Sequence, residues 1–402
     1  MSDTATTSTR ERARRPIAAT LAYYVGFITL GLTTASLGPT LPGLAAQTQT
    51  RLGEISFLFT ARSFGYLLGS LLSGRLYDRF RGHPLLAFGL IGMAAALAAV
   101  PLLPLVALLA AVLFLVGAAE GFVDVGTNTL IVWVHREKIG PFMNGLHFFF
   151  GVGAFLSPLL VAQVALMSGG IAGAYWALAL LIAPVAINIA RLPSPPILRA
   201  RAANGERERI QYGLVALIAL FFFLYVGAEV GFAGWIFTYV TRRGLADETT
   251  AALINSIFWG ALTLGRLASI PIAIRFSARA LLAVDLAGGI ASAALMVLLP
   301  DSMPALWAGA FGLGLSMASI FPTMLSLAGA RMTMTGNINS IFFAASSAGG
   351  MSVPWVIGQL FERVSPHVLM WAILLSMLLS SAAFVALERR SAGRRLAAEQ
   401  RV

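Results

Sequence analysis

The sequence predicts an all-α membrane protein with twelve transmembrane helices in two parallel six-helix repeats. Three observations predict it: long apolar runs, a one-sided distribution of arginine, and a constant internal register. Of the 402 residues, 58% are hydrophobic and only 11% are charged, whereas a soluble domain carries about a quarter charged residues. That much apolar material exceeds what one globular core can bury, so lipid must act as the second solvent.

A span needs about 20 apolar residues, and the sequence offers twelve such runs, taken here in order. Span 1 (17–42) follows Arg10, Arg12, Arg14 and Arg15, and its apolar stretch is too long for the core of a cleavable signal. Spans 2 (54–76) and 3 (84–102) flank a loop with Arg75, Arg79 and Arg81. Spans 4 (104–134) and 5 (140–167) flank Arg136 and Lys138, and span 6 (171–192) leads into a polar segment, Pro193 to Arg209. Spans 7 (211–240), 8 (250–274), 9 (279–299), 10 (303–330), 11 (337–361) and 12 (367–387) complete the set.

Of the 28 Lys and Arg residues, 22 fall on the side of the termini and central loop, four on the other side, and two (Arg62, Arg266) within spans. The positive-inside rule therefore puts both termini and the central loop in the cytoplasm. The formal charge of +11 is a topology signal, and nucleic acid is not expected as a partner. The predicted organisation is a cytoplasmic tail (1–16), a six-helix half (17–192), a cytoplasmic linker (193–209), a second half (210–388) and a second cytoplasmic tail (389–402).

A shift of 196 residues pairs Gly31 with Gly227, Gly69 with Gly265, Arg79 with Arg275, Gly140 with Gly336, Gly153 with Gly349, and Pro158 with Pro354. With six spans in each half, the two repeats have the same orientation. Matched Gly and Pro suit close helix approaches and kinks.

The sequence has no cysteine, which excludes disulfides, thiolate zinc sites and iron–sulfur clusters; His83, His135, His147 and His367 are too scattered to suggest a metal. No GxxxxGK[ST] loop is present to cradle nucleotide phosphates, and no cofactor is expected. No loop is large enough to form a catalytic domain, so the chain is not expected to be an enzyme. Uphill transport would need H+ or Na+ as the coupling ion.

Ionisable groups inside spans are costly and mark function by default. Glu120, Asp124 and Asn128 stand at i, i+4 and i+8 on span 4, one face of a helix. Two carboxylates that close, and out of water, cannot both be comfortably ionised, which suits Asp124 and Glu120 to ion coupling. The structural alternative is pairing with Arg62 or Arg266. On span 7, Tyr225, Glu229, Phe232 and Trp235 share a broad stripe, an acid amid aromatics of the kind that holds sugars. Asn255, Trp259 and Thr263 share a face of span 8, and Asn144 and His147 a face of span 5; each is a candidate solute contact or interhelical glue. Asp285 sits early in span 9 with no obvious partner.

The 2–3 loop reads Gly74-Arg-Leu-Tyr-Asp78-Arg79-Phe-Arg81-Gly82-His83. It resembles the signature loop of the major facilitator superfamily, GxLxDRxGR, with Arg81-Gly82 where that pattern has Gly-Arg. The resemblance implies a gating role for Gly74, Asp78 and Arg79. Phe223-Leu-Tyr225-Val-Gly227-Ala-Glu229-Val resembles the seventh helix of the superfamily's fucose/galactose/glucose–proton symporters, and Asp124-Val-Gly-Thr-Asn128 their acid-x-x-x-Asn on span 4. Asn144-Gly-Leu-His147, Gly151-Val-Gly153-Ala, Pro158, Gly234-Trp235-Ile and Pro354-Trp355 resemble the sodium-dependent glucose transporter relatives. Those symporters carry an acid on span 1 where this chain has Gly38.

The resemblance implies a secondary active transporter of a small, sugar-like solute, working by alternating access as a monomer in the cell (inner/plasma) membrane. Asp124 and Glu120 would bind H+ or Na+, and Asn128, Glu229, Trp235, Asn255, Trp259, Asn144 and His147 would line the solute path. The alternative is a proton-coupled exporter of drugs or hydrophobic metabolites.

Overall fold

The computed structural model describes residues 3–197, 212–332 and 334–399. Most of the expected linker and the outermost tail residues lie outside this range. Among the described residues the ordered elements are helices only: α1 (Asp3–Thr34), α2 (Leu37–Thr48), α3 (Leu52–Ile55), α4 (Phe57–Tyr77), α5 (Gly82–Ala99), α6 (Val106–His135), α7 (Ile139–Ser168), α8 (Ile171–Arg191), α9 (Tyr212–Arg242), α10 (Glu248–Arg275), α11 (Ala278–Leu298), α12 (Met303–Met317), α13 (Ile320–Gly329), α14 (Gly336–Phe361) and α15 (Val368–Glu399).

Eleven helical segments are long and apolar enough to cross a membrane, but one of them, Val106–Ser168, has 63 residues. At 1.5 Å per residue it would reach about 95 Å, three times the ~30 Å hydrocarbon core. It is interrupted by a single 3₁₀ turn at Arg136–Lys138, where Arg136 takes a φ of 49°. Divided there into α6 and α7, the eleven segments give the twelve expected spans.

Two of the expected spans are broken within their length. Span 1 stops at Thr34 and resumes at Leu37; span 10 stops at Met317 and resumes at Ile320. A proline follows each break, Pro39 and Pro322. Its ring excludes the carbonyl four residues back, Ala35 and Ala318 respectively, and supplies no N–H to bond it. Each interruption therefore falls in the turn before its proline, where the helix has already lost a bond, although Pro158, Pro184, Pro271 and Pro354 sit inside unbroken helices.

The chain separates into two units, Met1–Thr50 with Phe64–Ala202, and Arg51–Ser63 with Ala203–Val402. In the first, α1 packs on α7, and α5 packs on α6 and α8. In the second, α9 packs on α14 and α15, and α11 on α12 and α15. Residues 51–63 are held on α14 in the second unit: Gln359 Nε2 donates to the Gly53 carbonyl at 2.5 Å and Thr60 Oγ1 to the Met351 carbonyl at 3.1 Å.

The 196-residue register is visible in the packing. A Cβ on Gly31 would lie 2.7 Å from the Ala154 nitrogen, and one on Gly153 2.9 Å from the Ile28 carbonyl carbon, so α1 and α7 cross backbone to backbone. Their counterparts repeat the crossing between α9 and α14: a Cβ on Gly349 would lie 2.8 Å from the Phe223 carbonyl carbon, and one on Gly227 3.1 Å from the Gly349 oxygen.

Candidate functional site

In the first unit the polar groups gather on α6. Glu120 is 2% exposed, and Asp124 and Asn128 are half-buried on the same face. Asn128 Nδ2 donates to Asp124 Oδ1 at 2.8 Å and to the Asp124 carbonyl at 2.9 Å. The second carboxylate oxygen of Asp124 accepts from the Tyr66 hydroxyl on α4. That reach depends on a close approach of α4 to α6. A Cβ on Gly65 would lie 2.8 Å from the Phe114 carbonyl carbon, and one on Gly121 2.9 Å from the Ser70 nitrogen. Both oxygens of Asp124 are thus paired to neutral donors, which aim the carboxylate and spread its charge. Glu120 Oε1 accepts from Thr34 Oγ1 at 2.8 Å, and Thr34 is the last residue before the break in span 1.

The second unit repeats this logic. On α9 the Tyr225 hydroxyl lies 2.5 Å from Glu229 Oε2 and 2.9 Å from the Met317 carbonyl, the last residue before the break in span 10. Ser319, inside that break, donates to the Asp285 carboxylate, which gives Asp285 the partner its sequence context does not reveal. Each unit thus brings acids and hydroxyls to an interrupted helix, where backbone groups are released from regular bonding. In transporters, such breaks are where discontinuous helices present backbone groups to solutes and ions.

The other predicted residues fall elsewhere. Trp235 is fully buried; its indole N–H donates to the Pro354 carbonyl at 2.9 Å, and its ring lies 4.9 Å from that of Phe361 and 6.2 Å from that of Phe59. Asn255 is buried too, its amide donating to the Ala233 carbonyl at 3.0 Å while its Oδ1 has no partner among the described residues. Trp259 is 6% exposed and edge-on to Phe258 at 5.5 Å. Asn144 and His147 lie on an exposed face of α7, with the Phe27 ring 5.9 Å from the imidazole. Gly74 has open space around it, and Asp78 and Arg79 are exposed just past the end of α4. These residues do not join either acid constellation through a direct hydrogen bond among those described above.

Sequence reasoning missed Tyr66, Thr34, Met317 and Ser319. Thr34, Met317 and Ser319 lie three to five residues before Pro39 or Pro322, but Pro158, Pro184, Pro271 and Pro354 give the same local signal inside unbroken helices, so sequence alone did not single these three out. Tyr66 had no such signal, since its partner is on another helix.

The Major Facilitator Superfamily model matches residues 23–354. The chain is 32% identical to the sodium-dependent glucose transporter 1A of Mus musculus over 84% of this chain and 88% of the relative. It is 31% identical to the sodium-dependent glucose transporter 1 of Homo sapiens over 83% and 72%. Among solved structures, a D-xylose–proton symporter superposes with a TM-score of 0.74 at 14% identity, covering 91% of this chain and 97% of the other. The nucleoside transporter NupG does so with a TM-score of 0.70 at 13% identity, covering 93% and 98%. A twelve-span helical chain, broken just before two prolines beside acids within its spans and matched by the family model over most of its length, is a multi-pass membrane transporter belonging to the Major Facilitator Superfamily.

Proposed function

We propose that this transporter moves a hexose or similar polyol by secondary active transport, with H+ or Na+ as the coupling ion. The observation that carries the reading is the Tyr66–Asp124–Asn128 network, with Glu120 one turn away on the same face of an apolar span. A carboxylate held like Asp124 by a hydroxyl and an amide gains from taking up a cation and can release it again. The relatives named as sodium-dependent glucose transporters support both the solute class and the coupling.

In this reading Asp124 and Glu120 bind the ion, and Asn128 and Glu229 meet the solute hydroxyls. Asn144, His147 and Trp259 extend the solute path, while Trp235 and Asn255 hold its wall. Gly74, Asp78 and Arg79 take part in gating. The protein works as a monomer in the cell membrane with both termini in the cytoplasm, as the arginine distribution supports.

The test is uptake of labelled hexose into proteoliposomes under an imposed Na+ or pH gradient. Gradient-driven accumulation should disappear in Asp124→Asn while exchange at equal concentrations persists. Undiminished accumulation in that variant would remove Asp124 from the coupling role.

A further inference from the structure

We propose that the corner where α10 ends, α11 begins and α15 leaves the apolar region binds the phosphate of an anionic phospholipid. Its floor is one carboxylate serving two guanidinium groups. Glu388 Oε1 pairs with Arg331 and its Oε2 with Arg279 Nε at 3.2 Å. The side chains of Glu388 and Arg331 are 13% and 17% exposed, whereas that of Arg279 is 70% exposed. One negative charge between two arginines leaves a positive surplus on a partly desolvated base, and the terminal nitrogens of Arg279 take no partner among the described residues.

The surplus grows outward. Arg275, Arg389 and Arg390 are all exposed at this end of the unit, and Arg390 donates to the Gly213 carbonyl at 3.3 Å. Arg275 and Arg389 have no acidic partner among the described residues. The N-terminus of α11, capped by Ser277 at 3.2 Å from the Ala280 nitrogen, adds the positive end of a helix dipole.

The apolar side chains interleaved with this charge select the ligand. Ile274 is 83% exposed and Phe276 60%, flanking Arg275 and leading to Arg279, and Tyr212 is 75% exposed beside Gly213. A free anion has no use for them. A lipid does: guanidinium forks take the phosphate while Ile274 and Phe276 meet its acyl chains at the depth where aromatic rings favour the interface.

The experiment uses the purified full chain in detergent and follows its thermal midpoint during titration with phosphatidylglycerol, phosphatidylcholine or inorganic phosphate. Phosphatidylglycerol should raise the midpoint saturably, and the other two should not. The double variant Arg275→Gln/Arg389→Gln leaves the Glu388 pairs intact and should weaken the apparent lipid affinity by about tenfold or more. Arg279→Gln should do the same, and the double Lys replacement at 275 and 389 should retain most of the response. An equal shift with phosphatidylcholine or with inorganic phosphate would overturn the proposal. So would an unchanged phosphatidylglycerol response in the folded Gln variants.

Discussion

Replacing Gly349 with alanine, beside the same replacement at Gly350, tests whether the backbone crossing of α9 and α14 sets the stability of the second unit. Both residues are mid-helix in α14, so both variants gain the same helix propensity, roughly 1 kcal/mol. Their surroundings differ. A Cβ on Gly350 would find only side chains, the nearest being Val230 Cγ2 at 3.6 Å, which is ordinary contact. A Cβ on Gly349 would lie 2.8 Å from the Phe223 carbonyl carbon and closer still to its oxygen. Carbon pairs settle at about 3.5 Å or beyond, so the two backbones must part by about 0.7 Å or more. Overpacking of that kind costs about 1–3 kcal/mol, which is then the expected difference between the variants. For a unit of this size that is roughly 5 °C in melting midpoint. The other half already contains the control, because the 196-residue shift pairs Gly349 with Gly153 and Gly350 with Ala154. Differential scanning fluorimetry of the two variants reads the gap. Midpoints that agree within the error of the measurement would show that the crossing relaxes freely, and the reasoning would fail.

Tyr66→Phe removes one donor from Asp124 and keeps the ring; a hydrogen bond to a charged group is worth about 1.5–3 kcal/mol, so the ion dependence of uptake should shift roughly ten- to hundredfold. An unshifted ion titration would count against the network. Pro322→Ala lets α12 and α13 join, which should keep or raise the melting midpoint while uptake falls, because the Met317 carbonyl leaves the Tyr225 hydroxyl. At His367, in the turn just before α15, burial and then the Arg243 guanidinium push the imidazole below its ordinary value, against an opposing effect of Asp301. A lowered folded-state value means this contribution is fully present above about pH 6.5 and is lost as the pH falls below it. The wild-type midpoint should therefore drop more steeply than that of His367→Gln on acidification, and parallel curves would refute the assignment. Asp247 caps α10 by accepting from the Thr250 nitrogen at 2.9 Å, and the Thr250 donors hold its carboxyl below the ordinary value. Its contribution should be complete above about pH 4 and vanish at lower pH, so Asp247→Ala should lower the midpoint slightly at neutral pH and leave it unchanged in strong acid.

The spans were legible because crossing a bilayer imposes a length and a composition on a contiguous stretch of chain. The repeat was legible because backbone crossings accept only glycine, so Gly31, Gly153, Gly227 and Gly349 keep a fixed register. Glu120, Asp124 and Asn128 came out together because helical geometry converts a spacing of four into a shared face, and Tyr225 with Glu229 for the same reason. What connects one helix to another was not written locally. Nothing near Tyr66 indicates that α4 passes close enough to α6 for its hydroxyl to meet Asp124. Asp285 looked isolated because Ser319 is 34 residues away along the chain. Trp235 shows the opposite limit: its place in the stripe of Glu229 was readable, but its rotation into the contact with α14 was not.

The glycine crossings also constrain movement. A contact between bare backbones has no rotamers to exchange, so its separation cannot adjust by small side-chain rearrangements as an ordinary core does. The α1–α7 and α9–α14 crossings are therefore fixed points, and strain applied to either unit must be absorbed elsewhere. The compliant places are Ala35–Ser36 and Ala318–Ser319, where regular helix is already interrupted. Each unit then behaves as a stiff pair of crossed rods with one soft joint, and that joint lies next to its acids.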